Sequence, residues 1–386
     1  MIQVPKGMLE ELQRRVGTDD VTPYLSKAPG RIEVLGNHTD YNAGLVLSAT
    51  INKYVWSLGV PSDTVNLVAM DLGEDVQFQT TGNQPDIERT WKEYAKGVYW
   101  AFERRKHRVT GVTAVIHGDV PRGGGLSSSA AFEVSLASLV LKISGLDLNP
   151  KAAAMISFEA ERLFCGVSCG IMDQFTSQLG EPDSLLSINC RNFETRNVTI
   201  PAGVTFVVID SMISRSADNA LGVRRTECLQ ALKELQETDW AIQNLSDLAP
   251  AHLAKVRDVL DNTLADRVTH VVQENDRVRK GIEAIKGNDL DAFGKIMIES
   301  HSSSRDLYKV SHPNLDFLVE ASIAQEGVMG ARLSGAGFGG AVLALVKEKK
   351  VFTFMDAITK TYESEMGRIP DIIPVTIPGG VTVEKI

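Results

Sequence analysis

The stretch PRGGGLSSSAAFEVSLASLVL, residues 121–141, carries the reading of this chain. Gly123, Gly124 and Gly125 let backbone N–H groups approach a ligand closely, and Leu126 with Ser127, Ser128 and Ser129 leads the loop into a helix. From Ser127 to Ser144 that helix is apolar almost all round, so it is expected to be buried, with Gly145 as its stop. A helix N-terminus carries partial positive charge, and a glycine loop beside it suits a triphosphate. The lysine of a G-x-x-x-x-G-K-[ST] loop is absent, so this is not a Walker loop. A glycine turn with serine N-caps uses the same letters, and the stretch alone does not separate the two.

Outward from it, VTAVIHGDV at 112–120 reads as a strand stopped by Pro121, and residues 151–165 as a second helix ending at Gly166. Upstream, residues 8–16 form a short amphipathic helix, SKAPG at 26–30 a turn, and RIEVLG and LVLSATINKYVWSLGV β segments. Downstream, TFVVID at 205–210 is a strand, and helical patterns follow near 222–237, 264–286, 288–303 and 313–325. GARLSG and AVLALV are strands around a glycine turn, followed by a helix near 350–365 and a strand at 371–377. Strands and helices mix without regular βαβ alternation, so the fold class is α+β, in two tightly joined domains meeting near Pro201.

The 386 residues carry 40 Lys+Arg against 49 Asp+Glu, a net charge of -9, with no basic run. That balance excludes a dedicated nucleic-acid surface while leaving room for a small anion held by backbone N–H groups. Cys165, Cys169, Cys190 and Cys228 form no CxxC and are expected as reduced thiols. The charged N-terminus is unlike a signal peptide and no apolar run is long enough to span a bilayer. A cytoplasmic monomer without membrane or nucleic-acid partners is the expectation.

Two further motifs are rich in glycine. SGAGFGG at 334–340 matches G-x-G-x-x-G, but a short β-rich run follows where a dinucleotide fold needs a helix. APGRIEVLGNHTDYNAG at 28–44 crowds Arg31, Glu33, Asn37, His38, Asp40 and Tyr41 together, a set that suits a polyhydroxylated ligand or an ordinary polar turn.

Together these motifs resemble the GHMP kinases and, among them, the galactokinases. GRIEVLGNHTDYN at 30–42 is similar to that family's G-R-V-N-x-I-G-E-H-T-D-Y-N, GGGLSSSA at 123–130 to its phosphate loop, and SGAGFGG to its C-terminal glycine motif. CGIMDQF at 169–175 is intact, and an RR-x-x-C element spans Arg224–Cys228. The resemblance implies the two-domain GHMP kinase fold, taken here as 1–197 and 198–386, with the active site in the cleft between domains.

It also implies phosphorylation of the anomeric hydroxyl of a hexose by ATP. In that reading Asp173 orients the hydroxyl and takes its proton late, because the neighbouring Arg31 keeps it ionised and a weak base. Gly123 to Ser129 cradle the phosphates, and Ser129 and Glu161 partner Mg2+. Glu33, Asn37, His38, Thr39, Asp40 and Gly170 are the implied sugar residues.

Three positions depart from the family pattern. Asn37 stands where the family has glutamate, Glu33 where it has asparagine, and Leu221 where it has tyrosine. On a strand Glu33 shares a face with Arg31, so it can pair with it or reach the sugar. Galactose is the substrate by resemblance, with N-acetylgalactosamine, arabinose or another hexose left open by these departures. A sensor that binds sugar and ATP without catalysis is the alternative of a different class, and the presence of Arg31, Ser129, Ala130 and Asp173 favours catalysis.

Overall fold

The structure is a computed structural model and describes all residues except 1–2, 19, 21, 87, 214–216 and 239, and the side chains of 217–220. Its first sheet is built from β1 (Tyr24–Leu35), β2 (Leu45–Ser62), β3 (Val65–Ala69), β4 (Glu74–Phe78), β5 (Gly111–Gly118), β6 (Ser184–Asn189) and β7 (Glu194–Thr199). The second contains β8 (Val204–Asp210), β9 (Val328–Ser334), β10 (Ala341–Lys347) and β11 (Asp371–Val375). The last strand, β12 (Thr382–Lys385), returns to the first sheet beside β1. Strand order is β12-β1-β2-β5-β3-β4, with β6 and β7 branching from β2, and β11-β8-β10-β9 in the second sheet. Only the β3–β5 pair is parallel among these ladders.

The helices are α1 (Met8–Val16), α2 (Trp91–Arg104), α3 (Ser128–Ile143), α4 (Pro150–Glu159), α5 (Met172–Leu179) and α6 (Ala217–Gln236). They continue with α7 (Leu253–Val259), α8 (Asn262–Lys286), α9 (Leu290–Ser303), α10 (Pro313–Ile323) and α11 (Val351–Met366). Mixed strands and helices in two joined sheets are the α+β arrangement expected. As its all-round apolar pattern predicts, α3 is buried from Ala130 to Leu141 and packs on β1 and β2. Each large aliphatic side chain removed from water there contributes roughly 1.5–3 kcal/mol.

One continuous apolar cluster, the largest of several among the described residues, runs from Ile32 and Leu47 of the first sheet through Leu136 of α3 to Leu343 and Ile373 of the second. The expected boundary at 197/198 lies inside β7; we propose the division between Thr199 and Val204, where the chain leaves one sheet for the other.

Two local expectations change. The SKAPG turn is part of β1: Pro29 stands opposite Tyr54, and the ladder shifts register before Arg31. A bulge is where a strand tolerates proline. Gly30 has no side chain because the Leu126 carbonyl passes 2.6 Å from where its Cβ would be. The helix expected over 151–165 ends at Glu159 and continues as a π-turn, Ala160–Phe164. A second π-turn, Ser304–Tyr308, follows α9. Such turns widen the helix and often accompany functional sites.

Candidate active site

β1 is regular from Arg31 to Glu33, so these alternate residues project from one face. The Arg31 guanidinium grips Asp173 of α5 with both ends, Nε to Oδ1 at 2.8 Å and Nη2 to Oδ2 at 2.6 Å. Its remaining arm, Nη1, donates to the Gly125 carbonyl at 2.6 Å. Ser127 Oγ also donates to Asp173 Oδ2. Three charge-assisted bonds therefore fix both the carboxylate and the glycine loop on one arginine.

The loop itself needs its residue types. Gly123 and Gly125 have φ of 75° and 78°, where a side chain is strained, and Ser127 takes the left-handed conformation before α3 begins at Ser128. The Arg31 N–H donates to the Leu126 carbonyl at 3.0 Å, and a Cβ on Gly124 would lie 2.8 Å from the Asp210 carboxylate at the end of β8. The loop is thus held between the two sheets, with the α3 N-terminus at its end, an anion-binding arrangement.

Ser128 and Ser129 also line a cavity of about 390 Å3 whose walls include Val55, Leu72, Trp91, Tyr94 and Phe132. Trp91 is fixed by its Nε1–H bond to Glu74 at 3.0 Å and meets the Phe132 ring edge-on. Sequence reading missed this apolar chamber. Its walls come from strands, helices and turns that are far apart in sequence, and no local pattern joins them.

A second cavity, about 220 Å3, is lined by Arg31, Glu33, His38, Asp40, Gly170, Asp173, Leu221 and Ala336. This is smaller than the roughly 300–1,000 Å3 of drug-sized sites and suits a small polar molecule. Burial, reinforced by Glu33 and Asp173, pushes the Asp40 carboxyl up to about 7. Leu221 adds an apolar wall.

The expected sugar residues divide here. Glu33, His38, Asp40 and Gly170 face the cavity, whereas Asn37 and Thr39 lie behind it, fully buried. Thr39 Oγ1 bonds the Gly36 and Leu45 carbonyls at 2.8 and 2.6 Å. Asn37 bonds Glu33, Gly335 and Ser304.

His38 has both ring nitrogens engaged by protein. Nε2 lies 3.1 Å from the Ala336 carbonyl, which can only accept, so Nε2 carries the proton. Burial, with His270 nearby, holds its pKa down to about 3, so the ring is neutral and Nδ1 accepts from the Tyr41 hydroxyl at 3.0 Å. Tyr41 then accepts from Tyr308 at 2.9 Å, and Tyr308 from the Cys228 thiol at 3.1 Å. His38 therefore ties its loop to the second glycine motif, with its ring stacked on Tyr308. The RR-x-x-C element serves this brace: Arg224 Nη1 donates to the Tyr308 carbonyl at 3.2 Å.

The two residues expected to partner Mg2+ lie side by side, Ser129 Oγ donating to Glu161 Oε1 at 3.1 Å. Glu161 sits in the Ala160–Phe164 π-turn, and Gln174 Nε2 bonds its other oxygen at 2.6 Å. Burial and Asp173 raise the Glu161 carboxyl to about 6. No group of three or more His, Cys, Asp or Glu able to hold a metal occurs among the described residues. One carboxylate and one hydroxyl fit a Mg2+ ion that keeps water and phosphate oxygens.

Comparison with known proteins identifies the family. The GHMP kinases N terminal domain matches residues 93–181, the GHMP kinases C terminal domain residues 282–364, and the galactokinase galactose-binding signature residues 10–60. The chain is 38% identical over 358 residues to the galactokinase of Roseiflexus sp. (strain RS-1), covering 92% of this chain and 91% of that protein. It is 35% identical over 364 residues to the galactokinase of Thermotoga maritima, covering 93% and 99%. Lactococcus lactis galactokinase complexed with galactose superposes with a TM-score of 0.91 at 29% identity, covering 97% of this chain and 98% of that one. Methanococcus jannaschii mevalonate kinase shares the fold, with a TM-score of 0.66 at 19% identity over 92% of this chain and 98% of that one.

Proposed function

Because this chain belongs to the GHMP kinase family and within it to the galactokinases, we propose that the Arg31–Asp173 pair joins a sugar cavity to a nucleotide cavity for transfer of the ATP γ-phosphoryl to the anomeric hydroxyl of galactose. The reaction is that of an ATP-dependent sugar kinase. The anomeric oxygen forms a bond to the γ-phosphorus, the bond from that phosphorus to the β,γ-bridging oxygen breaks, and ADP leaves with the bridging oxygen's negative charge. The products are galactose 1-phosphate and ADP.

The observation that carries this is the two-ended contact of Arg31 with Asp173, between the 220 Å3 cavity and the glycine loop. Asp173 accepts from the anomeric hydroxyl and points its oxygen at phosphorus. Held at both oxygens by Arg31, the carboxylate is fixed in place, which suits phosphoryl transfer, where the hydroxyl proton leaves late and positioning dominates. Arg31 supplies positive charge at the transferring group and locks the loop through Gly125. Asp40 and Glu33 take other sugar hydroxyls. Gly123 to Ser129 and the α3 N-terminus receive the phosphates, and the 390 Å3 apolar chamber takes the base. Ser129 and Glu161 are the residues that would hold Mg2+, which supplies neutralising charge to the phosphates when bound.

No described helix is long and apolar enough to cross a membrane, and all four cysteines are unpaired, which supports a cytoplasmic location. The test of the reaction is the product. Phosphate on the anomeric oxygen removes the reducing end, so a product that keeps its reducing end overturns the proposed acceptor atom.

A further inference from the structure

Arg332 in β9 is among the largest side chains that are completely buried. Its charge has one carboxylate within pairing distance among the described residues: Nη2 lies 3.1 Å from Glu33 Oε1, while Nη1 donates to the Val34 carbonyl at 2.8 Å. Its Nε has no hydrogen-bond partner among the described residues. Burying a charge this way is weak evidence for stability, because desolvation offsets the attraction. A functional reason is called for.

Glu33 Oε1 also receives Asn37 Nδ2 at 2.9 Å, and Asn37 is itself held from three sides, by Glu33, the Gly335 carbonyl and Ser304 Oγ. The backbone of Glu33 is clamped as well, its N–H bonding Ser334 Oγ at 3.1 Å. One oxygen of the carboxylate is therefore fixed by two donors. The other, Oε2, has no hydrogen-bond partner among the described residues, and Glu33 lines the small cavity. Burial pushes this carboxyl up, and Arg332 opposes that push.

We propose that Arg332, Glu33 and Asn37 form the sugar-specificity element of this kinase: Arg332 and Asn37 are positioning residues that present Glu33 Oε2 as the acceptor for a sugar hydroxyl other than the one phosphorylated. The inference rests on the galactokinase reading above. Two residues along a regular strand are about 6.6 Å apart. Because Arg31 is committed to Asp173, Glu33 meets the part of the ring away from the anomeric oxygen. Glu33 belongs to the first sheet and Arg332 to the second, so the element exists only where the two are packed together.

Glu33→Gln tests this directly. Asn37 and Arg332 both donate to the Oε1 position, so the glutamine carbonyl must sit there and its NH2 must face the cavity, replacing an acceptor by a donor. The measurement is kcat/KM for galactose and for the 2-, 3-, 4- and 6-deoxy sugars, with thermal melting as the folding control. The wild type should discriminate against one of the last three by roughly 10- to 100-fold, the range for a hydrogen bond to a charged group. In Glu33→Gln the galactose KM should rise by a similar factor with kcat within a few-fold, and discrimination at that hydroxyl alone should disappear. Arg332→Met should reproduce the KM effect and Arg332→Lys soften it; if Arg332→Met does not fold, Glu33→Gln decides. Unchanged discrimination against every deoxy sugar, or a fall in kcat at constant KM, overturns the proposal while leaving the kinase reading intact. Absence of sugar-dependent turnover in the wild type removes both.

Discussion

Gly170 lies so close beneath Asp40 that a Cβ at position 170 would stand 1.8 Å from the Asp40 carboxylate oxygen Oδ2. The glycine is there for space, since its φ is not in the left-handed region. It lets the 36–41 loop and the segment before α5 converge on one cavity. Gly170→Ala should therefore displace Asp40 and raise the galactose KM at least ~10-fold, the loss of a hydrogen bond to a charged group, with the ATP KM unaltered. Steady-state kinetics with each substrate varied in turn checks this. An unchanged galactose KM would show that Asp40 is not held against Gly170 in solution.

Asp40 also sets a pH dependence. Glu33 and Asp173 face it as like charges, while Arg31 and the Tyr41 N–H favour its ionised form, and burial outweighs them to place it at about 7. Sugar hydroxyls donate to the ionised form. Below pH 7 the empty site therefore carries a proton that binding must expel, and apparent affinity falls as pH falls, by up to about tenfold per unit. Calorimetric titration of galactose at pH 6 in buffers of different ionisation enthalpy should show close to one proton released, and almost none at pH 8.5. Equal release at both values would remove Asp40 as the linked group.

The apolar chamber makes a separate prediction. Trp91 packs edge-on to Phe132 and is anchored on Glu74, so Trp91→Ala opens the wall against which a base would lie. The ATP KM should increase roughly tenfold, in line with loss of a buried aromatic contact, and the galactose KM should stay constant. A variant with raised galactose KM and normal ATP KM would exchange the roles of the two cavities.

Ser129 and Glu161 are the metal prediction. Ser129→Ala removes one of the two proposed protein ligands, so the Mg2+ concentration giving half-maximal binding of the nucleotide should rise roughly 10- to 100-fold, the typical cost of disturbing the shells of a metal site. Fluorescence titration with a labelled nucleotide reads this without turnover. Identical Mg2+ dependence would place the ion elsewhere.

Much of this site was legible because its parts are contiguous in sequence. The glycine loop with its buried helix and the polar run after Gly30 announce themselves through composition, whereas Asp173 in CGIMDQF is singled out by the family resemblance. What escaped depends on tertiary partners. Asn37 and Thr39 carry the same polar groups as a ligand contact would, and only the fold shows these spent on Glu33, Gly335, Gly36 and Leu45. The neutral state of His38 follows from its burial and a carbonyl contributed by residue 336. Arg332 sits in a strand whose pattern reads as apolar, and its partner is 299 residues away. The π-turns that aim Glu161 and Ser304 leave no periodic signal distinct from the helices they extend. SKAPG looked like a turn because a bulged strand tolerates the same residues.

The most direct test of the central claim is sugar-dependent ADP release from MgATP, compared between wild type and Asp173→Asn. The account predicts turnover with galactose in the wild type and a kcat lower by about 10^2- to 10^4-fold in the variant, with galactose affinity within a few-fold, because the amide cannot take the hydroxyl proton. Undiminished kcat in Asp173→Asn, or no galactose-dependent ADP in the wild type, would contradict it.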